Sequence, residues 1–146
     1  MLFRSEGART RIGYEAAGDT TSVELFRNYS NELAAQGFTV LYDSSTDTKA
    51  PRRNGYLLGF GTAAFGNLAT SRSYFVFYSA PLTTMNTLSA QRTKDGKTLS
   101  VHLTTVQWDK PNPTFRAQRG AYAMLDIVEA GQLQQNMVTE IGRAHV

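Results

Sequence analysis

Residues 21–42, TSVELFRNYSNELAAQGFTVLY, hold a helix and a strand back to back, and the fold class follows from how the first ends and the second begins. Thr21 and Glu24 have the spacing of a capping box, in which the Thr21 hydroxyl accepts from the backbone N–H three residues on and Glu24 reaches back to the Thr21 amide. Leu25, Phe26, Tyr29, Leu33 and Ala34 then recur at three- and four-residue steps. This spacing predicts a helix over 21–36 whose apolar stripe lies opposite Arg27, Asn28, Asn31, Glu32 and Gln36. Gly37 ends it, because the left-handed position after many helices costs glycine no Cβ clash. Phe38-Thr39-Val40-Leu41-Tyr42 has strand composition and begins at once, so the stripe is expected to lie on a sheet.

Working outward, residues 8–16 (ARTRIGYEA) alternate as a strand, with Ile12 and Tyr14 on one face and Arg9, Arg11 and Glu15 on the other. Residues 88–108 form the second clear unit. Lys94-Asp95-Gly96-Lys97 holds the Asp-Gly pair of a tight primed hairpin turn, which fixes the register on both sides. Lys94 stands opposite Lys97, Arg92 opposite Leu99, Ala90 opposite Val101 and Leu88 opposite Leu103, so the apolar residues share one face. Ser89, Thr93, Ser100, His102 and Thr104 take the other face, expected to be the more solvated one. Pro111 and Pro113 put 109–119 in a loop, and 121–129 (AYAMLDIVE) reads as the last strand. Residues 43–55 have loop composition throughout and are expected at the surface. The apolar run 56–81 is badly phased, and Tyr74-Phe75-Val76-Phe77-Tyr78 fits a buried strand or the end of a helix. The expected fold is α+β: a mostly antiparallel sheet of about five strands with one main helix on one face.

Both ends look foreign. Ile141-Gly142-Arg143-Ala144-His145-Val146 is the translation of a common short-read sequencing adapter, and Leu2-Phe3-Arg4-Ser5 that of its reverse counterpart. Residues 1–5 and 141–146 are therefore set aside as adapter, leaving one domain over 6–131 and an exit linker over 132–140. Setting aside Arg4 and Arg143 lowers Lys+Arg from 15 to 13 against 12 Asp+Glu, and the net charge from +3 to +1. A near-neutral domain with scattered arginines lacks the basic stripe of a nucleic-acid binder. Without His145, the single remaining histidine is His102, and without any cysteine there is no thiolate nucleophile, disulfide or Cys-type zinc site. No apolar run reaches the length of a membrane helix.

Few constellations carry chemistry. Gly59-Phe60-Gly61-Thr62-Ala63-Ala64 follows Tyr56-Leu57-Leu58 and fits a G-x-G-x-x-A dinucleotide fingerprint, but the next acidic residue is Asp95 and no strand-helix-strand repeat surrounds it. Close packing of small residues is the simpler reading, and no cofactor is expected. His102 has the elements of a triad in Asp109 or Asp126 and Ser89 or Ser100, yet its place on the hydroxyl-rich face makes it a surface histidine in this reading. Asp43 and Asp47 are loop carboxylates with nothing to fix their separation for paired acid and base work. Lys49, Arg52, Arg53 and Arg72 with Tyr56 and Tyr74 are the one candidate interaction surface, a basic and aromatic mixture suited to an anionic polymer or partner.

The order Glu6-Gly7, Thr10-Arg11-Ile12-x-Tyr14, then Ser22-Val23-Glu24-Leu25-Phe26-Arg27-Asn28-Tyr29, Leu33, Gly37-Phe38 and Val40-Leu41 resembles a module of unknown function that precedes the peptidoglycan-binding domain in some OmpA-family envelope proteins. Leu88-Ser89-Ala90-Gln91-Arg92, Leu99-Ser100-Val101-His102-Leu103 and Leu125-Asp126-Ile127-Val128-Glu129 are similar to its central hairpin and closing strand. Two features depart from it: Asp43-Ser44-Ser45 stands where that family often has cysteines, and 56–81 has no clear counterpart. The resemblance implies an exported parent, periplasmic or associated with the outer membrane, with an OmpA-like wall-binding domain downstream and an envelope protein or cell-wall polymer as partner. It implies no catalytic residue. The expected function is a non-catalytic envelope module; a small-ligand or peptide-binding domain using the aromatics of 56–78, and a nucleotide-dependent enzyme using 59–64, are the alternatives.

Overall fold

In the computed structural model, which describes residues 8–16, 18–46, 76–77 and 79–130, Thr21 is extended and its hydroxyl accepts from the Glu24 N–H at 3.1 Å. That starts helix α1, Ser22–Ala35. Gly37, at φ +86°, ends it with two bonds that close the last turn: Phe38 N–H donates to the Leu33 carbonyl at 3.0 Å and Gly37 N–H to that of Ala34 at 3.1 Å. The strands among the described residues are β1 (Ala8–Ala16), β2 (Thr39–Asp43), β3 (Asn86–Lys94), β4 (Lys97–Trp108) and β5 (Gly120–Ala130). They form one sheet in the order β1-β5-β4-β3-β2, antiparallel at every step. The fold is α+β, as the helix-strand junction and the hairpin predict.

Asp95 and Gly96 both have positive φ, +53° and +75°, the type I′ turn whose twist matches the flanking strands. Lys94 pairs with Lys97, Arg92 with Leu99, Ala90 with Val101 and Leu88 with Leu103, so the turn sets the register as read from the sequence. Since neighbours alternate in direction, β1 and β2 run the same way at opposite edges, and α1 connects them across the whole face. Leu25, Phe26 and Leu33 bury there against Leu88, Ala90, Val101, Leu103, Ala121 and Ala123. Each buried leucine or phenylalanine stabilises the fold by about 1.5–3 kcal/mol relative to exposure.

Ala34 departs from the expected stripe and is exposed, because it lies one residue, about 100°, around the helix from Leu33. Ser22 takes a buried place at the other end. Its hydroxyl donates to the Thr84 carbonyl at 2.8 Å, its N–H to Gln107 Oε1 at 3.0 Å, and its carbonyl accepts from Thr105 Oγ1 at 3.1 Å. The helix start is thus bolted to β4 and to the 3-10 turn Leu82–Thr84. At its far end, Arg92 Nη1 donates to the Gln36 carbonyl at 2.9 Å while the guanidinium lies 4.8 Å over the Phe38 ring.

Tyr14 faces the helix side, its ring 6.4 Å from that of Tyr29, but Tyr14 and Ile12 stay 51% and 47% exposed because β1 is an edge strand. The opposite face holds a second core: Val106, Trp108, Tyr122 and Met124 with Met85, Ala117, Val76 and Phe77. Trp108 Nε1–H donates to the Val76 carbonyl at 2.9 Å. Val76 and Phe77 are helical, which decides for those two residues between the strand and helix readings. Residues 109–119 leave the sheet as their prolines require, folding into a small loop in which Asn112 and Ala117 exchange both backbone bonds. Gly120 opens β5 at φ +143°, where a Cβ would sit 2.8 Å from the Ala16 carbonyl oxygen.

Candidate functional site

Cross-strand neighbours on the face away from α1 form one polar row that spans the sheet. Arg11 on β1 stands opposite Asp126 on β5, Asp126 opposite His102 on β4, His102 opposite Ser89 on β3, and Ser89 opposite Tyr42 on β2. The register makes this row, since side chains directly opposite one another on paired strands share a face. Arg11 donates Nε–H to Asp126 Oδ1 at 2.7 Å and Nη2–H to Oδ2 at 3.3 Å, a two-pronged ion pair. Ser89 Oγ lies 3.3 Å from His102 Nδ1, and Thr104 Oγ1 lies 3.3 Å from Nε2.

The expectation that this face is the more solvated one fails around His102, although Ser89 and Ser100 are half-buried and Thr93 is exposed. His102 is only 8% exposed, and Asp126, Thr104 and Thr87 are buried with it. Nor is His102 a surface residue: burial pushes its pKa down to about 4, with Asp126 and a hydrogen bond to the Leu88 backbone pulling the other way. The ring is therefore neutral at physiological pH. The misreading has a physical cause. Ser, Thr and His alternate with apolar residues here just as on a wetted face, and alternation separates the two faces without saying which is covered.

The row meets the elements of a triad without its connectivity. In a triad a carboxylate orients one imidazole nitrogen and the nucleophile's hydroxyl holds the other. Here hydroxyls lie at both nitrogens, and the Asp126 carboxylate is bonded to Arg11. Asp109 cannot orient the ring, because it lies seven positions along the chain from His102, just past the end of β4, about 20 Å at the rise of a β-strand; it accepts instead from Gln107 Nε2 at 3.1 Å. Ser100 accepts from Gln91 Nε2 at 3.4 Å. Asp43 is committed to its own turn, its Oδ1 accepting from the Ser45 N–H at 2.8 Å and the Ser45 hydroxyl at 2.6 Å.

The basic and aromatic surface of Lys49, Arg52, Arg53, Tyr56, Arg72 and Tyr74 lies outside the described residues, as do Asp47 and the glycine motif 59–64. Among the described residues, no three histidine or carboxylate side chains gather as a metal would need. No helix among them is long and apolar enough to cross a membrane. Sequence reasoning put Ser89, Ser100 and His102 on one face through the hairpin but missed Arg11 and Asp126 as partners, because β1 and β5 are paired across 115 residues of sequence with no turn to set their register. The available signal was alternation within each strand, which sets Arg11 on the face opposite Ile12 and Tyr14, and Asp126 on the face opposite Leu125 and Ile127. No protein-family model, no curated protein and no solved structure matches this chain.

Proposed function

We propose that this chain is a non-catalytic module of the cell envelope that positions a neighbouring wall-binding domain. The observation that supports the non-catalytic part is the polar row itself. The one histidine of the domain is a buried neutral ring with a hydroxyl at each nitrogen, and the carboxylate beside it serves an arginine. A general base works best with a pKa near the working pH and in reach of a substrate proton. A ring whose pKa is near 4 is a weak base at neutral pH, and its neighbours read as a network that joins strands. The envelope part rests on the resemblance of 6–42, 88–103 and 125–129 to the OmpA-associated module.

The gene around this segment tests the reading. A signal peptide or lipid-attachment cysteine upstream and an OmpA-like domain downstream are the expected neighbours; a cytoplasmic catalytic domain in their place would end it. With that parent protein in hand, pull-down by intact peptidoglycan should weaken when 6–139 is deleted, and an unchanged pull-down would remove the positioning role.

A further inference from the structure

In the row Arg11–Asp126–His102–Ser89, a single carboxylate stands in register between an arginine and a histidine. Arg11 holds it now through Nε and Nη2. The hydroxyls at the two ring nitrogens have a second property. Ser and Thr hydroxyls accept as readily as they donate, so a second ring proton can be met by rotating one hydroxyl, with neither hydrogen bond lost. What changes is charge, and a buried imidazolium needs a counter-charge. The carboxylate across the strand is Asp126.

We propose that His102 is an acid-sensing element: on taking a second proton it competes with Arg11 for Asp126 and loosens the hold of β1 on β5, while the β3–β4 hairpin stays paired. Among the described residues, β5 faces the ring with Asp126, β1 reaches that carboxylate with Arg11, and β3 brings Thr87, Ser89 and Gln91, none of which titrates. His102's own strand adds Ser100 and Thr104, and α1 packs on the other face. Burial sets the range, since the ring titrates near pH 4. Edge placement sets the target: β1 pairs with β5 alone among the described strands, whereas β4 is paired on both sides. This inference does not depend on the envelope reading.

Amide hydrogen exchange on the whole chain, at neutral pH and near pH 4 and corrected for intrinsic rates, tests it. Protection of Ala8–Ala16 should fall by about tenfold or more relative to that of Asn86–Lys94, the effect of one pKa unit of differential interaction. In His102→Gln, which keeps hydrogen-bonding capacity but cannot become a cation, β1 should stay protected. Loss of β1 and hairpin protection together, or equal β1 loss in His102→Gln as protonation of Asp126 itself would give, overturns the proposal. Should that variant fail to fold, NMR of the unmodified chain decides. The Arg11 Nε–H signal should move at the pH where the His102 ring titrates, and a fixed Arg11 signal through that titration overturns it as well.

Discussion

The two faces of this sheet are buried by different means. On the α1 side, Leu25, Phe26 and Leu33 meet Leu88, Ala90, Val101 and Leu103, and the contact is apolar and non-directional. On the other side a second apolar core around Trp108 and Met124 gives way to the row of Arg11, Asp126, His102 and Ser89, where every buried polar atom needs a partner in a particular direction. Apolar burial degrades gradually when a side chain is trimmed. A polar row fails sharply, because removing one member strands another away from water.

The sharpest break should therefore come from Asp126→Ala. It removes the carboxylate from a pair whose side chains are 19% and 8% exposed and leaves the Arg11 charge without this partner. A loss of about 3–5 kcal/mol in urea unfolding is expected, in line with breaking a buried pair from one side. A loss below about 1 kcal/mol, the range of exposed pairs, would show that water reaches this end of the row. On the other face, Leu33→Ala should cost about 2–5 kcal/mol, the value depending on how far α1 settles onto the sheet. A cost under about 0.5 kcal/mol, the size of a surface substitution, would place the stripe at the surface.

Acid separates the faces without a mutation. The folded-state pKa of His102 is depressed from 6.5 to about 4, so the unfolded chain takes up the proton first as pH falls. The contribution is complete above 6.5 and is lost progressively down to about 4, below which this group causes no further change. About 3 kcal/mol is at stake, from the roughly 1.4 kcal/mol that each pKa unit represents. Melts of the whole chain across that window, with His102→Gln as the control, should show the slope in the parent and its loss in the variant. A parent whose stability is level from neutral pH to about 4 would mean that the ring is hydrated in the folded state.

What was readable in advance follows the same division. Local rules placed α1, because Thr21, the apolar spacing and Gly37 each act within a few residues, and the Asp95-Gly96 turn fixed the β3–β4 register through positive φ at both positions. Those rules also put Arg92 beside Leu99 and separated His102 from Leu103. They fell short where the cause is distant in the chain. Asp126 meets Arg11 across 115 residues of sequence, and Ser22 is buried because Thr84, Thr105 and Gln107 converge on it. Whether a Ser/Thr/His face is wet or covered depends on such long-range placement. Alternation records the pleat alone.

The smallest expected effect has the opposite sign. Thr87 stands opposite Thr104 in register on the polar side and is fully buried; its backbone N–H donates to Ser44 Oγ at 3.0 Å, but its own hydroxyl finds no hydrogen-bond partner among the described residues. A buried hydroxyl left in this way forfeits its hydration without return, so replacing it with a methyl group of nearly the same shape removes a cost and breaks nothing. Valine is also well suited to a pleated position between two strands. Thr87→Val should accordingly stabilise the fold by about 1 kcal/mol, a net hydrogen-bond increment with its sign reversed, read as a higher urea midpoint at unchanged slope. Destabilisation of similar size would show that the Thr87 hydroxyl is hydrogen-bonded in solution and belongs to the polar network with Thr104 and His102. Stabilisation would mark the boundary where the directional chemistry of the row ends and ordinary apolar packing resumes.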